Sequence, residues 1–399
     1  MGEPIYGDRT DIPDYLDGNI RFDFRDGCRM QLAADAHTPI RVRIYEDTAN
    51  VLCLDRELKP GESCSTSKKY AIKWRMEVHK DDGLQFRHVL HLEDQPVLVQ
   101  CPGIKSAAMG DTIAMMRALE DFHASTRCRL TVAMNRTYAD LFRHTHPDIE
   151  FIPHTETALG HYYAEYRLGL FWGDDECNLA PIDHRLAGNY ANYRNILGMY
   201  GLPPSNPPRI KLDYGRVIDE PYVCIAVQAS AACKTWMGDN FHGWLKVVKW
   251  LREHGRRVLC IDKHPVYGTG LFHTFIPNGA EDYTGDLPLT ERIALLRHAD
   301  CFIGGSSGLA WLAWCAGCPV VLISGFTEDW NEFPTPYRVR FRPSCSGCWN
   351  DPRLKFDHKN ILWCPRHQDD DARRFECSRL ITSQLVIDTI EKTPAFASS

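Results

Sequence analysis

The sequence predicts an α/β protein of two open, mostly parallel sheets, with a β-rich, barrel-like region in front and a cysteine-bearing segment behind. Three observations carry the prediction. Residues 284–325 read TGDLPLTERIALLRHADCFIGGSSGLAWLAWCAGCPVVLISG: a helical pattern, a short apolar run, a Gly/Ser turn, a second helical pattern and a second apolar run. Strands alternating with helices in this way are the grammar of a parallel sheet, whose strands are joined by crossovers. A proline-rich stretch, GLPPSNPP at 201–208, separates this region from an earlier one with the same alternation and reads as a semi-rigid linker. Period-two alternation, the mark of half-buried antiparallel strands, distinguishes residues 1–95.

The elements follow in order. Residues 1–95 hold alternating runs at 40–44, 70–78 and 85–92, separated by turn residues at 59–61 and 81–83. They predict an antiparallel sheet or small barrel with a structural or assembly role. From Pro96 the pattern changes: Val97-Leu98-Val99 is a buried-type strand, followed by a helix through Ile113, Met116, Leu119 and Phe122. Strands at 130–134, 149–152 and 166–171, a helix at 138–144 and one long helix at 184–199 complete a first α/β domain, 96–213. The second, 214–340, has strands at 222–227 and 257–262 around a helix at 243–252, then the units of 284–325. Residues 341–380 read as a metal finger and 381–399 as a C-terminal helix and tail.

Composition excludes several classes. Of 399 residues, 44% are hydrophobic and 25% charged, an ordinary globular balance. A net charge of −6 argues against a general nucleic-acid or membrane-surface binder. No run approaches the ~18 apolar residues of a membrane span. The first residues are acidic and polar, unlike a secretory signal, and Tyr6 stands where a myristoylation motif needs Ser or Thr. A cytoplasmic location is expected, and with it free thiols rather than disulfides. Most of the sixteen cysteines sit singly in apolar runs, as Cys224, Cys260 and Cys301 do, and read as small buried hydrophobes.

Three loops carry the candidate chemistry. The turn Gly304-Gly305-Ser306-Ser307-Gly308-Leu309 leads from a strand into a helix, where unpaired N–H groups and two hydroxyls suit a phosphate; the plain alternative is a serine-capped turn. Gly110-Asp111-Thr112 follows the first strand of the first α/β domain, and its carboxylate suits a proton acceptor; the plain alternative is a helix N-cap. The third loop, residues 228–236, holds Ser230 as a donor and Lys234 as a point charge for a diphosphate; the plain alternative is a solvated lysine. Two α/β domains joined by a linker favour a ligand cleft between them.

The last four cysteines are different. Cys345 and Cys348 flank a Ser-Gly turn, and Cys364 and Cys377 follow in a segment with few apolar runs. Four thiolates fit a tetrahedral ion, zinc or iron equally, and the Cys345/Cys348 pair alone suits a redox site. His358, Lys359 and His367 read as ordinary surface residues.

The motif Ala108-Met109-Gly110-Asp111, the Lys234-Thr235-Trp236 loop and residues 289–325 resemble the heptosyltransferases of the two-domain GT-B architecture, with paired Rossmann-like domains. The whole chain, including the β-rich region and the cysteine tail, resembles the bacterial autotransporter heptosyltransferases. The resemblance implies ADP-D-glycero-D-manno-heptose as donor and serine hydroxyls of an autotransporter adhesin as acceptor. It implies Asp111 as base, Lys234 at the donor diphosphate, Ser307-Gly308-Leu309 as the phosphate turn, a homododecamer, and one structural iron (Fe3+) per chain. Two other functions stay open: a heptosyltransferase of lipopolysaccharide core, and a non-catalytic, metal-stabilised assembly module for adhesins.

Overall fold

Apolar runs become buried strands in the computed structural model. It describes residues 19–25, 27–66, 71–81, 83–102, 108–159, 162–169, 183–199, 208, 210, 215–229, 231–269, 272–357 and 359–397. They fall into two units, each taken by itself: Met1–Ala107, Ala118–Asp183 and Ala191–Pro203, then Ala108–Arg117, His184–Tyr190 and Pro204–Ser399.

The first unit begins with β1 (Ile20–Arg25), β2 (Arg29–Leu32), β3 (Ile40–Glu46), β4 (Val51–Leu58), β5 (Ser63–Ser65), β6 (Trp74–Lys80) and β7 (Gly83–Val89). Strands β4-β3-β6-β7 form an antiparallel sheet. The β1-β2-β5 ribbon packs toward it, with the Phe22 ring 5.9 Å from Phe86 and 4.8 Å from His88. Strand β1 also pairs in parallel with β11 (Ala164–Arg167). It thereby joins β8 (Pro96–Gln100), β9 (Arg129–Ala133) and β10 (Glu150–Ile152) in one sheet of order β10-β9-β8-β11-β1-β2-β5. Val97, Leu98 and Val99 are fully buried there. Helix α1 (Met109–Thr126) starts in the second unit and ends in the first, where Phe122 meets Tyr166; α2 is Arg136–Phe142. The expected long helix is two, α3 (His184–Ala187) and α4 (Asn189–Ile196), because Gly188 between them takes φ +69°. Of the proline-rich linker, all but Pro208 lies outside the described residues.

The second unit is wound around β12 (Tyr222–Ala226). Strands β13 (Arg257–Cys260) and β16 (Glu281–Asp282) lie to one side, and β17 (Phe302–Gly305), β18 (Val320–Ile323) and β19 (Arg338–Val339) to the other, all parallel. A hairpin, β14 (Val266–Thr269) and β15 (Phe272–Phe275), projects between β13 and β16 in the sequence. Helices α5 (Gly243–Glu253), α6 (Leu289–His298) and α7 (Gly308–Ala316) are the crossovers; α8 (Glu376–Arg379), α9 (Ser383–Ile390) and α10 (Pro394–Ala397) close the chain. Val223, Ile225, Val258, Ile303 and Val321 form the core with Val247 and Leu251 of α5 and Val386 and Ile390 of α9. No described helix is long and apolar enough to cross a membrane.

Each sheet has a point where the winding reverses: between β8 and β11 in the first unit, and between β12 and β17 in the second. Ligands of open α/β sheets sit beyond the carboxyl ends of the strands at such points.

Candidate functional site

At the second unit's reversal, β17 ends and Ser306-Ser307 leads into α7. Ser307 takes the extended conformation of an N-cap, φ −140° and ψ 168°, yet makes no capping hydrogen bond. Its Oγ is buried without a partner among the described residues. Gly308 and Leu309 open the helix, so their N–H groups have no intrahelical acceptor. A buried, unmatched hydroxyl beside a helix N-terminus is poised for an anion. Ser306 differs: its Oγ donates to Glu332 Oε1 (2.6 Å), a buried carboxylate also held by Asn331 (3.2 Å) and Arg338 (2.7 Å). Its side chain is spent.

The start of α1 presses on the start of α7. A Cβ on Gly110 would stand 2.7 Å from the Trp311 ring, and one on Gly308 would stand 2.9 Å from Met109 Cε, so glycine at both positions permits the approach. Asp111, half-buried, is the third residue of α1 and not its cap. A carboxylate in a first turn is favoured by the helix dipole. Thr112 turns away from any ligand role: it is buried, and its hydroxyl donates to the Ala108 carbonyl (3.0 Å) within its own helix.

The third loop leaves β12. Its base is tethered by Asp262, which accepts from the Val227 N–H (2.7 Å) and the Gln228 N–H (3.4 Å). Burial pushes the Asp262 carboxyl up to about 6, and the buried Arg292 donates to the Asp262 (3.1 Å) and Gly285 (2.6 Å) carbonyls beside it. Ser230 lies outside the described residues. Lys234 ends a short 3-10 turn, Ala232–Lys234, and its carbonyl approaches so near Gly305 that a Cβ there would stand 3.1 Å from it. Its Nζ lies 5.6 Å from the Phe326 ring centroid and 5.5 Å from that of Trp349. A small pocket lined by Lys234, Ser306, Ser324 and Phe326 joins this loop to the Gly/Ser turn. All three predicted loops thus contribute to one unit.

Cys345, Cys348, Cys364 and Cys377 line one small pocket, together with Cys233, His367 and Glu376. The Ser-Gly turn needs its glycine: Gly347 has φ +71°, and a Cβ would strike the Glu328 carboxylate. Hydrogen bonding with Cys348, aided by Arg366, holds the Cys345 thiol below the usual thiol range. The Phe375 N–H donates to Cys364 Sγ (3.5 Å) and the Cys345 N–H to Glu376 Oε1 (2.8 Å). His367 is not an ordinary surface residue, for its side chain is only 13% exposed. One ligand atom each from Cys345, His367 and Glu376 lie within 4.8 Å of one another. Lys359 is exposed as expected, and His358 lies outside the described residues.

Sequence reasoning missed Asp262, Glu332 and Trp349. Acidic residues after β13 and in an irregular stretch carry no motif; only Asp262, directly after an apolar strand, offered a positional hint.

Known proteins bear on this arrangement. Residues 17–82 match the family model "Glycosyltransferase TibC, N-terminal domain" and residues 170–362 match "Glycosyltransferase family 9 (heptosyltransferase)". The autotransporter heptosyltransferase Aah of Escherichia coli is 42% identical over 386 residues, 96% of this chain and 95% of the relative. The inactive autotransporter heptosyltransferase BimC of Burkholderia thailandensis is 36% identical over 380 residues, 95% of this chain and 86% of the relative. The crystal structure of TibC, a dodecameric iron-containing heptosyltransferase, in complex with ADP-D-beta-D-heptose superposes with a TM-score of 0.87 at 39% identity, covering 98% of this chain and 99% of that one. The chain belongs to the autotransporter heptosyltransferase family, with a glycosyltransferase family 9 fold behind a β-rich N-terminal region.

Proposed function

We propose that this chain transfers heptose from ADP-D-glycero-D-manno-heptose to serine hydroxyls of an autotransporter adhesin, by a single inverting displacement. One observation carries the reading: the unmatched Ser307 hydroxyl, the α7 N-terminus, Lys234 and the Asp111-bearing start of α1 gather at the reversal point of one sheet. Family membership alone would not suffice, since BimC is described as inactive.

In this reading the donor diphosphate lies against the Ser307-Gly308-Leu309 turn and Lys234. Asp111 takes the proton of the acceptor serine as its Oγ bonds to the anomeric carbon. The bond from that carbon to the ADP oxygen breaks, and the charge left on ADP is met by Lys234 and the α7 N–H groups. A single carboxylate base and no second nucleophile imply inversion. Residues 214–340 form the donor side, joined by the Asp111-bearing start of α1.

Cys345, Cys348, Cys364 and Cys377 would hold one iron (Fe3+), with His367 and Glu376 at its margin. Bound there, the ion supplies a cross-link for a segment with little apolar core of its own. Likeness to TibC, described as dodecameric and iron-containing, supports the metal and a homododecamer.

The test is intact-mass measurement of an unmodified adhesin fragment after incubation with ADP-heptose and the iron-loaded protein. Stepwise gain of heptose masses is expected. No gain on the adhesin with gain on a lipopolysaccharide-core acceptor would move the assignment to the lipid pathway; no gain on either would make the chain a non-catalytic module.

A further inference from the structure

We infer that Trp349, with Phe326, is a positioning residue for the donor site: the two rings hold the Lys234 ammonium toward the diphosphate. The inference rests on reading Lys234 as the donor-phosphate cation.

Two aromatic centroids at 5.5 Å and 5.6 Å, themselves 5.8 Å apart, place Lys234 Nζ over an adjoining pair of π systems, inside the ~6 Å range of cation–π attraction. Such attraction uses none of the three N–H donors. A carboxylate in the same place would neutralise the lysine and compete with phosphate. Rings fix the direction of a long, flexible side chain and leave its charge to the ligand.

The rings are themselves held. Phe326 is buried and packs against Trp349, Phe356 and Trp363, at centroid distances of 5.8, 6.2 and 5.9 Å. The Trp349 N–H donates to the Phe326 carbonyl (3.2 Å). Asn350, its buried neighbour, donates to Asn331 Oδ1 (2.8 Å) and accepts from the Glu328 N–H (2.9 Å). Asn331 in turn donates to Glu332, which holds Ser306. From below, the Ala232 N–H donates to the Ile361 carbonyl (2.8 Å), fixing the turn that carries Lys234. The cysteine segment therefore reaches the donor site through named side chains and is more than a distant brace.

The experiment is a double-mutant cycle on the iron-loaded protein, read as ADP affinity by titration calorimetry, with iron content and melting temperature as folding controls. Trp349→Leu is expected to weaken ADP binding by about three- to tenfold, and Trp349→Phe, which keeps a ring, by much less. In a Lys234→Ala background, Trp349→Leu is expected to add nothing. If Trp349→Leu does not fold, Trp349→Met, which keeps the bulk without the ring, takes its place. Parent-like ADP binding by the ring-less variant, or full additivity in the cycle, overturns the positioning role alone. Parent-like binding by Lys234→Ala overturns the donor reading and the positioning role together.

Discussion

The mixed sheet of the first unit and the parallel sheet of the second reverse their winding in the same way, yet their reversal points are furnished differently. In the first unit the buried charge at this point is matched by its neighbours. Glu165 is buried on β11, accepting from Gln100 (2.5 Å) and from Arg25 (2.7 Å), with Arg167 at 3.6 Å. In the second unit the corresponding edge has glycines, an unmatched Ser307 hydroxyl, a helix N-terminus and a lysine held by rings. Topology supplies a crevice in both sheets; side chains decide what it accepts. A carboxylate already met by an arginine and an amide repels a further anion, whereas unmet donors at a helix N-terminus call for one.

That contrast can be broken at several points. Asp111→Asn should lower transfer by about a hundred- to ten-thousandfold, the usual worth of a general base, with ADP affinity kept; turnover against calorimetric affinity checks it. Near-parent turnover would move the base elsewhere.

Asp262 tests the scaffold beneath the donor site. Its carboxyl is raised to about 6 by burial, above an unfolded value near ~3.9. Its favourable contribution to stability is therefore whole below the unfolded value and lost as pH rises through the folded one. Asp262→Asn should flatten that pH dependence between about pH 4 and about pH 8, read by urea unfolding, while giving up one of the two N–H contacts, since an amide offers a single oxygen acceptor.

Glu165→Gln strikes the self-satisfied edge. It should cost about 1.5 kcal/mol of stability, the worth of a hydrogen bond to a charged group, and leave ADP affinity unchanged. Ser307→Ala should do the reverse, weakening ADP binding by about three- to tenfold while the ligand-free protein melts no lower, because the hydroxyl has no partner there to lose. If Ser307→Ala destabilises the free protein and spares ADP binding, the two edges are alike and the contrast is wrong.

Much of the second unit was legible because fully buried parallel strands are short apolar runs. Phe302–Gly305 and Val320–Ile323 fall close to where those runs predict them. The Gly/Ser turn was legible for a related reason, since its residue types have few other uses at that spacing. What stayed hidden was long-range. Nothing local says that β1 pairs with β11, that Trp349 faces Lys234, or that Glu332 engages Ser306. Those partners lie in irregular stretches without periodicity, and pairing across the sequence is fixed by packing. Thr112 was misread because a threonine early in a helix suits either a ligand or its own backbone, and burial sends it to the backbone.

The most direct measurement is a crystal structure of this protein with ADP-heptose bound. The account predicts the diphosphate oxygens within hydrogen-bond distance of the Gly308 and Leu309 N–H groups, Ser307 Oγ and Lys234 Nζ, with Asp111 facing the anomeric carbon. A diphosphate seated away from that turn, with Ser307 Oγ still unmatched, would contradict it.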